Sequence, residues 1–262
     1  MFDTHCHLNL SEYFSDPEDI IVKAREAGVD YLLIPGTDLQ NSRKAVDLAN
    51  TFENVYASVG VHPTVDLEKM GLGKTITALE ELIEEDKKIV AVGEIGLDYY
   101  HLNTPVSIQK EFLISQIKLA LKHNLSIILH NRHATEDILP LLRSLGWDNL
   151  VGKTVFHCCE PNLDILDLVV KHNLFIGIDG DVTYDETKAE FIKKVPLSNL
   201  VLETDSPFLT PQPKKEGDAD NNSPVNLIYV ARKVATLKNI KLEKVIFETL
   251  QNSKKLFNIS TY

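Results

Sequence analysis

The sequence predicts an α/β fold, a (β/α)8 TIM barrel built as a single domain over residues 1–262. Short apolar runs of strand character alternate with amphipathic helical stretches along the whole chain, the pattern of repeated βα units around a parallel sheet. The strand-like runs number eight, which is the barrel number, and 262 residues is an ordinary length for one such barrel. A doubly wound open sheet is the alternative arrangement of the same units, but strands joined by right-handed helical crossovers close naturally into a barrel. No linker or low-complexity tract divides the chain.

The first strand is read at residues 1–8, MFDTHCHL, and the first helix at 16–28, DPEDIIVKAREAG, with Pro17 in its first turn and Gly28 at its stop. Strands follow at 30–37 (DYLLIPGT), 55–63 (VYASVGVHP) and 89–98 (IVAVGEIGLD). The long stretch at 105–124, PVSIQKEFLISQIKLALKHN, reads as the helix after the fourth strand. The remaining strands are expected at 125–132, 152–159, 174–184 and 199–208, each followed by a helix, with a further helix at 241–257. Residues 210–224, TPQPKKEGDADNNSP, are rich in breakers and charge and read as a long loop after the eighth strand.

Hydrophobic residues at 44% and charged residues at 25% are ordinary globular values. No apolar run approaches the roughly 20 residues of a membrane span, and the opening MFDTHCHL has an Asp and two His where a signal peptide needs a basic and then an apolar segment. Cys6, Cys158 and Cys159 are odd in number, and the adjacent pair suits a disulfide poorly, so reduced thiols and a cytoplasmic location are expected. A net charge of −11 argues against a broad basic nucleic-acid surface but not against a local one, because metal ions and a few cations around a cleft reverse the local field.

On a strand, His5 and His7 would share one face roughly 7 Å apart, with Cys6 opposite. Nine His among 262 residues give roughly 0.3 H-x-H matches by chance, so the pair needs the rest of a coordination shell. Barrel enzymes build their sites at the C-terminal ends of strands. There the third strand brings His62, the fourth Glu94 and Asp98, the fifth His130, Arg132 and His133, the sixth His157, and the eighth Glu203 and Asp205. An unpaired charge in such apolar surroundings is costly, so these groups call for partners or a metal. Imidazole with carboxylate suits Zn, Mn, Fe or Ni, and carboxylate admits Mg.

The succession DTHCHL, GVHP, GEIGLDYY, LHNRHA, FHC and LETDSPFLTP resembles the TatD family of metal-dependent hydrolases, within the amidohydrolase superfamily of barrels. The resemblance spans residues 3 to 226. It implies two divalent ions per chain, one held by His5, His7, Glu94 and Asp205 and the other by Glu94, His130 and His157, with Glu94 shared. It also implies a deoxyribonuclease that cleaves DNA phosphodiesters. A cleft at a barrel mouth suits single strands or 3′ ends better than an intact duplex, and a monomer is favoured. Asp205 is expected to act as a base as well as a ligand, and Glu94 as bridge. The alternatives are a hydrolase of small amides, lactones or phosphoesters on the same fold, and a metal-binding protein without catalysis.

His62 could contact a substrate phosphate or cap its turn, and Arg132 could neutralise a phosphate or pair with Glu203 or Asp205. Asp98, Tyr99 and Tyr100 shape the loop after the fourth strand, and either tyrosine offers a ring for stacking on a base, with Tyr99 taken as the substrate-binding candidate. Cys159 shares the face of His157 and is expected at the rim, with Cys158 pointing away. His101, His123 and His172 fall in loops or helix ends with no assigned chemistry. MGLGKT at 70–75 imitates a phosphate-binding loop, but Glu68 stands where its first glycine is required and no strand precedes it. Family members commonly carry Arg-Gly and then Asn-x-Pro after the ETD strand. Here Asn222–Pro224 fits, but the arginine is absent, leaving Lys214 or Lys215 as substitutes.

Overall fold

The computed structural model describes residues 1–215 and 222–260. Its parallel strands are β1 (Phe2–Asp3), β2 (Tyr31–Pro35), β3 (Val55–Val59), β4 (Ile89–Asp98), β5 (Ser126–Arg132), β6 (Thr154–Phe156), β7 (Phe175–Ile178) and β8 (Leu200–Leu202), each paired with the next in chain order. The seam between β8 and β1 is closed by backbone bonds: Thr4 N donates to Leu202 O at 3.0 Å, Asp205 N to His5 O at 2.9 Å and His7 N to Ser206 O at 2.8 Å. The sheet is therefore a (β/α)8 barrel and not an open sheet.

Helices α1 (Pro17–Glu26), α2 (Leu39–Thr51), α3 (Leu67–Met70), α4 (Leu72–Glu85), α5 (Val106–Lys122), α6 (Thr135–Ser144), α7 (Leu163–His172), α8 (Glu186–Lys194), α9 (Leu227–Lys238) and α10 (Leu242–Leu256) fill the connections. Several begin at a side-chain cap that satisfies a first-turn donor: Asp16 accepts from Asp19 N at 3.0 Å, Asp38 from Asn41 N at 2.7 Å and Asp185 from Lys188 N at 3.0 Å. The MGLGKT stretch joins α3 to α4 with no strand leading into it. No helix among the described residues is long and apolar enough to cross a membrane.

Alternation along the strands divides the core into two shells. Phe2, Leu33, Ala91, Ile128, Val155, Phe175 and Val201 fill the barrel interior, and Leu256 and Phe257 from the end of α10 close its lower end. Phe2 and Phe257 rings lie 5.7 Å apart there. Leu32, Ile34, Val59, Val92, Leu129, Phe156, Ile176 and Leu202 belong to the outer shell beneath the helices. Two residues beyond the interior Ile128, Val155 and Val201 stand His130, His157 and Glu203, so strand geometry turns these polar groups inward at the upper end.

Strand β4 departs from simple alternation. Val92 pairs with Ile127 but Ile95 pairs with Leu129, so β4 carries one extra residue between them. That bulge changes the phase: Ala91 points inward below it, while above it Ile95 and Leu97 join the outer shell and Glu94, Gly96 and Asp98 face the barrel. Gly96 is needed where β4 passes β5, because a Cβ there would stand 1.8 Å from the His130 carbonyl oxygen.

Seven of the eight expected strands prove shorter than read, the second reduced to Tyr31–Pro35 and the fifth by one residue. The first ends at Asp3 instead of residue 8, the third at Val59, the sixth at Phe156, the seventh at Ile178 and the eighth at Leu202. Past those points the polar residues leave the ladder and bend over the barrel mouth. The fourth strand spans Ile89–Asp98, the full expected range.

Candidate metal centre

Strand ends bring His5, His7, Glu94, His130, His157 and Asp205 to one point above the interior. His5 Nε2 and His7 Nε2 lie 3.1 Å apart, although β1 has already ended. Glu94, 4% exposed, stands between two groups of donors. Its Oε2 is 3.4 Å from His5 Nε2 and 3.7 Å from His7 Nε2. Asp205 Oδ1 completes this group, 3.4 Å from His7 Nε2 and 3.8 Å from His5 Nε2. Glu94 Oε1 faces the other way, 2.9 Å from His130 Nδ1, 3.3 Å from His62 Nε2 and 3.6 Å from His157 Nε2.

These spacings can be tested against a metal. Ligands about 2.0–2.2 Å from one ion are separated by about 2.8–3.6 Å along the edges of an octahedron or tetrahedron, and the distances above fall in or just beyond that range. The Nε2 atoms of His5 and His7, both residues buried, face one another and the two carboxylates. Nitrogen and oxygen donors packed this closely fit divalent cations of the borderline kind. The donor sets His5–His7–Glu94, His5–His157–Asp205 and His62–Glu94–His130 are each compact enough to hold one.

Carboxylates behind the rings fix their orientation. Asp98 Oδ2 is 3.0 Å from His130 Nε2, leaving Nδ1 turned toward Glu94. Glu203 Oε1 is 3.0 Å from His157 Nδ1 and accepts from Cys158 N at 2.6 Å. Gly177 makes room for that carboxylate, since a Cβ there would lie 2.4–2.6 Å from it. Burial opposes a charge on Glu94, but His62, His157, His130 and His5 around it hold its carboxyl well below the usual range. At His157 burial is overcome by Glu203, Glu94 and Asp205, which push the imidazole up to about 10.

Asp205 has a left-handed backbone, φ 53°, which an Asp tolerates better than most residues. Asn222, the matching residue of the Asn-x-Pro stretch, is buried and donates to Thr204 O at 2.9 Å and Phe208 O at 2.8 Å. It thereby pins the turn that presents Asp205.

The centre opens into a cleft of about 330 Å³. His7, Glu94, His130, His157 and Asp205 line it, together with Arg132, His101, Cys158 and Asp181. A wider groove of about 620 Å³ lies outside the barrel between α6 and α7 and contains none of these residues.

Several residues stand elsewhere than the sequence suggests. His62 does not line the cleft; Thr64 Oγ1 engages its Nδ1 at 2.7 Å and its Nε2 faces Glu94, so it groups with the candidate donors. Arg132 lines the cleft but pairs with Glu160 at 3.5 Å, not with Glu203 or Asp205. Tyr99 is turned away, its hydroxyl donating to Asp137 Oδ2 at 2.6 Å. Cys158, with φ 42°, is the cysteine at the cleft, and Cys159 is buried, because strand alternation has ended at Phe156. His101 also reaches the cleft, 3.3 Å from Asp98 Oδ2. Lys214 and Lys215 do not line it; their ammonium groups lie over the rings of Tyr229 and Tyr184. Residues 216–221 of the expected loop lie outside the described residues.

One group at the cleft carries no expectation from the sequence. Lys188 on α8, 3% exposed, reaches Asp179 Oδ2 at 3.1 Å and Asp181 Oδ2 at 2.6 Å at the wall of the cleft. One buried ammonium between two carboxylates ties the turn after β7 to α8. Lys188→Met leaves both carboxylates without a counter-charge and should lose about 3–5 kcal/mol of stability, read as a lower midpoint in urea. The triple variant that also carries Asp179→Asn and Asp181→Asn should recover part of it, whereas a loss below about 1 kcal/mol would place this cluster among ordinary surface pairs.

A parallel barrel with a buried cluster of imidazoles and carboxylates at its C-terminal rim defines the class of metal-dependent hydrolase barrels. The chain belongs to the TatD family: the model for TatD-related DNases matches residues 2–258. It is 34% identical over 262 residues to the uncharacterized metal-dependent hydrolase YabD of Bacillus subtilis, covering 99% of this chain and 100% of that one. It is 31% identical over 268 residues to the 3′–5′ ssDNA/RNA exonuclease TatD of Escherichia coli, covering 99% and 100%. The crystal structure of YjjV, a TatD homologue from E. coli, superposes with a TM-score of 0.89 at 30% identity, covering 99% of this chain and 98% of that one.

Proposed function

We propose that this chain, as one domain over residues 1–262, is a two-metal deoxyribonuclease that hydrolyses phosphodiesters of single-stranded DNA or DNA 3′ ends. The observation that carries the reading is Glu94, whose two oxygens face separate donor groups. In it His5, His7, Glu94 and Asp205 hold one divalent ion, and Glu94, His130 and His157, with His62 beside them, hold the second. The native metal is one of Zn, Mg, Mn, Fe or Ni. Ions bound there would supply Lewis-acid polarisation of the phosphoryl oxygen and neutralise charge developing on it. Asp205, at the open side of the centre with its side chain 13% exposed, orients the attacking water and takes its proton. Arg132, 45% exposed at the cleft, supplies a cation for a flanking phosphate.

The relative named as a 3′–5′ exonuclease of ssDNA and RNA supports the substrate class. A narrow cleft admits a strand terminus more readily than a duplex. The three cysteines are free, which agrees with a reducing cytoplasm, and a monomer accommodates the whole site. Activity of the metal-loaded protein should appear on 3′- and 5′-labelled single-stranded oligonucleotides, exceed that on blunt duplex, and vanish on chelation. Turnover of lactones or small amides with intact oligonucleotides would instead assign a small-molecule hydrolase. Bound metal with no turnover of any substrate would assign a binding protein.

Glu203 supplies a further test. Glu203→Gln keeps shape but withdraws the charge behind His157, so affinity for the second ion should fall about 10- to 100-fold. Metal titration followed by calorimetry reads this directly, and an unchanged affinity would remove Glu203 from the centre.

A further inference from the structure

Tyr100 occupies an unusual place for a large ring. It lies in the loop after β4, 62% exposed, while its neighbour Tyr99 is tied to α6 through Asp137. The loop is not loose at this point. Asp98 Oδ1 accepts from Tyr100 N at 2.9 Å and from His101 N at 2.6 Å, while Oδ2 of the same carboxylate holds His130. One side chain therefore orients a candidate metal ligand and the exposed tyrosine together.

Nitrogen-bearing groups surround the ring. Arg132 Cζ lies 5.5 Å from its centroid, and the imidazoles of His101 and His133 stand edge-on at 4.5 Å and 5.8 Å. Arg132 and His101 also line the cleft, so the cluster is continuous with the metal centre. Single exposed apolar residues are normal on a protein surface, and Tyr13 and Tyr184 are also exposed, at 45% and 37%. What separates Tyr100 is its backbone tether to Asp98 together with the Arg132 guanidinium beside it at the cleft mouth, in a chain whose net charge is −11.

The geometry points to Tyr100 as a stacking platform for an unpaired nucleobase next to the scissile phosphodiester, with Arg132 beside it to meet the flanking phosphate. This subsite rests on the nuclease reading above and makes it more specific. An aromatic face accepts any base, so it favours unpaired strands without imposing a sequence. A base held in a duplex keeps its own stack and cannot use the ring. The platform thus supplies a physical reason for preferring single strands that the metal centre alone does not give.

The test compares a single-stranded oligonucleotide with a small phosphodiester built of abasic tetrahydrofuran residues, which carries no ring able to stack, on metal-loaded wild type, Tyr100→Ala and Tyr100→Phe. Loss of one stacked base corresponds to a rise of about 5- to 150-fold in KM for the oligonucleotide. That rise should exceed any change on the small ester at least fivefold, with kcat little moved, and Tyr100→Phe should behave as wild type because stacking needs the ring and not the hydroxyl. Equal KM values for wild type and Tyr100→Ala on an oligonucleotide that both cleave would overturn the platform while leaving the nuclease reading intact. A wild type that cleaves the small ester but no oligonucleotide would overturn both.

Discussion

Glu94→Ala is expected to release both ions and abolish turnover, the largest single effect in the chain. Its two oxygens face the two donor sets, with Oε2 toward His5 and His7 and Oε1 toward His130, His62 and His157. Removing it leaves five imidazoles converging on a buried point with less negative charge to offset a dication. Elemental analysis after gel filtration should find metal content falling from two ions per chain toward none. His157→Ala, by contrast, should weaken mainly the second ion, since its Nε2 is 3.6 Å from Glu94 Oε1, the oxygen that also faces His130 and His62. Unchanged content in Glu94→Ala would dismiss the bridge.

The second large effect concerns Asp205→Asn. Asn has the same size, keeps one oxygen donor and tolerates the left-handed backbone at this position. It loses the charge and basicity. Metal should remain bound at one position or more while turnover falls by the roughly 10² to 10⁴ associated with a missing general base. Metal retention separates lost chemistry from a collapsed site. Near wild-type turnover across the pH range, with both ions bound, would send the proton to another acceptor such as Glu94.

Much of the barrel was legible in the sequence because its signal is local. Eight apolar runs alternating with capped amphipathic helices specify βα repeats, and the inward-facing His130 and His157 follow from a period of two counted from Ile128 and Val155. The groups that the structure brings around Glu94 all stand at strand ends in the sequence. What alternation could not give is Glu94's own direction. The bulge between Val92 and Ile95 reverses the phase of β4, and a bulge of this kind is set by pairing with β5 and not by local composition. The Cys158 and Cys159 assignments were inverted for a related reason: the ladder ends at Phe156, after which backbone turns, not the pleat, decide where a side chain points.

Long-range pairing explains the other gaps. Arg132 finds Glu160, Tyr99 finds Asp137, and Lys188 finds Asp179 and Asp181, each across a connection whose geometry exists only once the barrel has closed. A signal for Lys188 was nonetheless present. It is a lysine on the buried face of α8, where Ala189 and Ile192 are buried too, and a lysine in such a place demands an anionic partner.

Anomalous diffraction from crystals equilibrated with Mn²⁺ addresses the two-metal centre most directly, because it needs no substrate and no turnover. Two peaks about 3.5–4 Å apart are expected, one among His5, His7 and Asp205, the other among His130 and His157, with the Glu94 carboxylate between them. A single peak, or two peaks that do not share Glu94, would contradict the bridged centre on which the proposed chemistry depends.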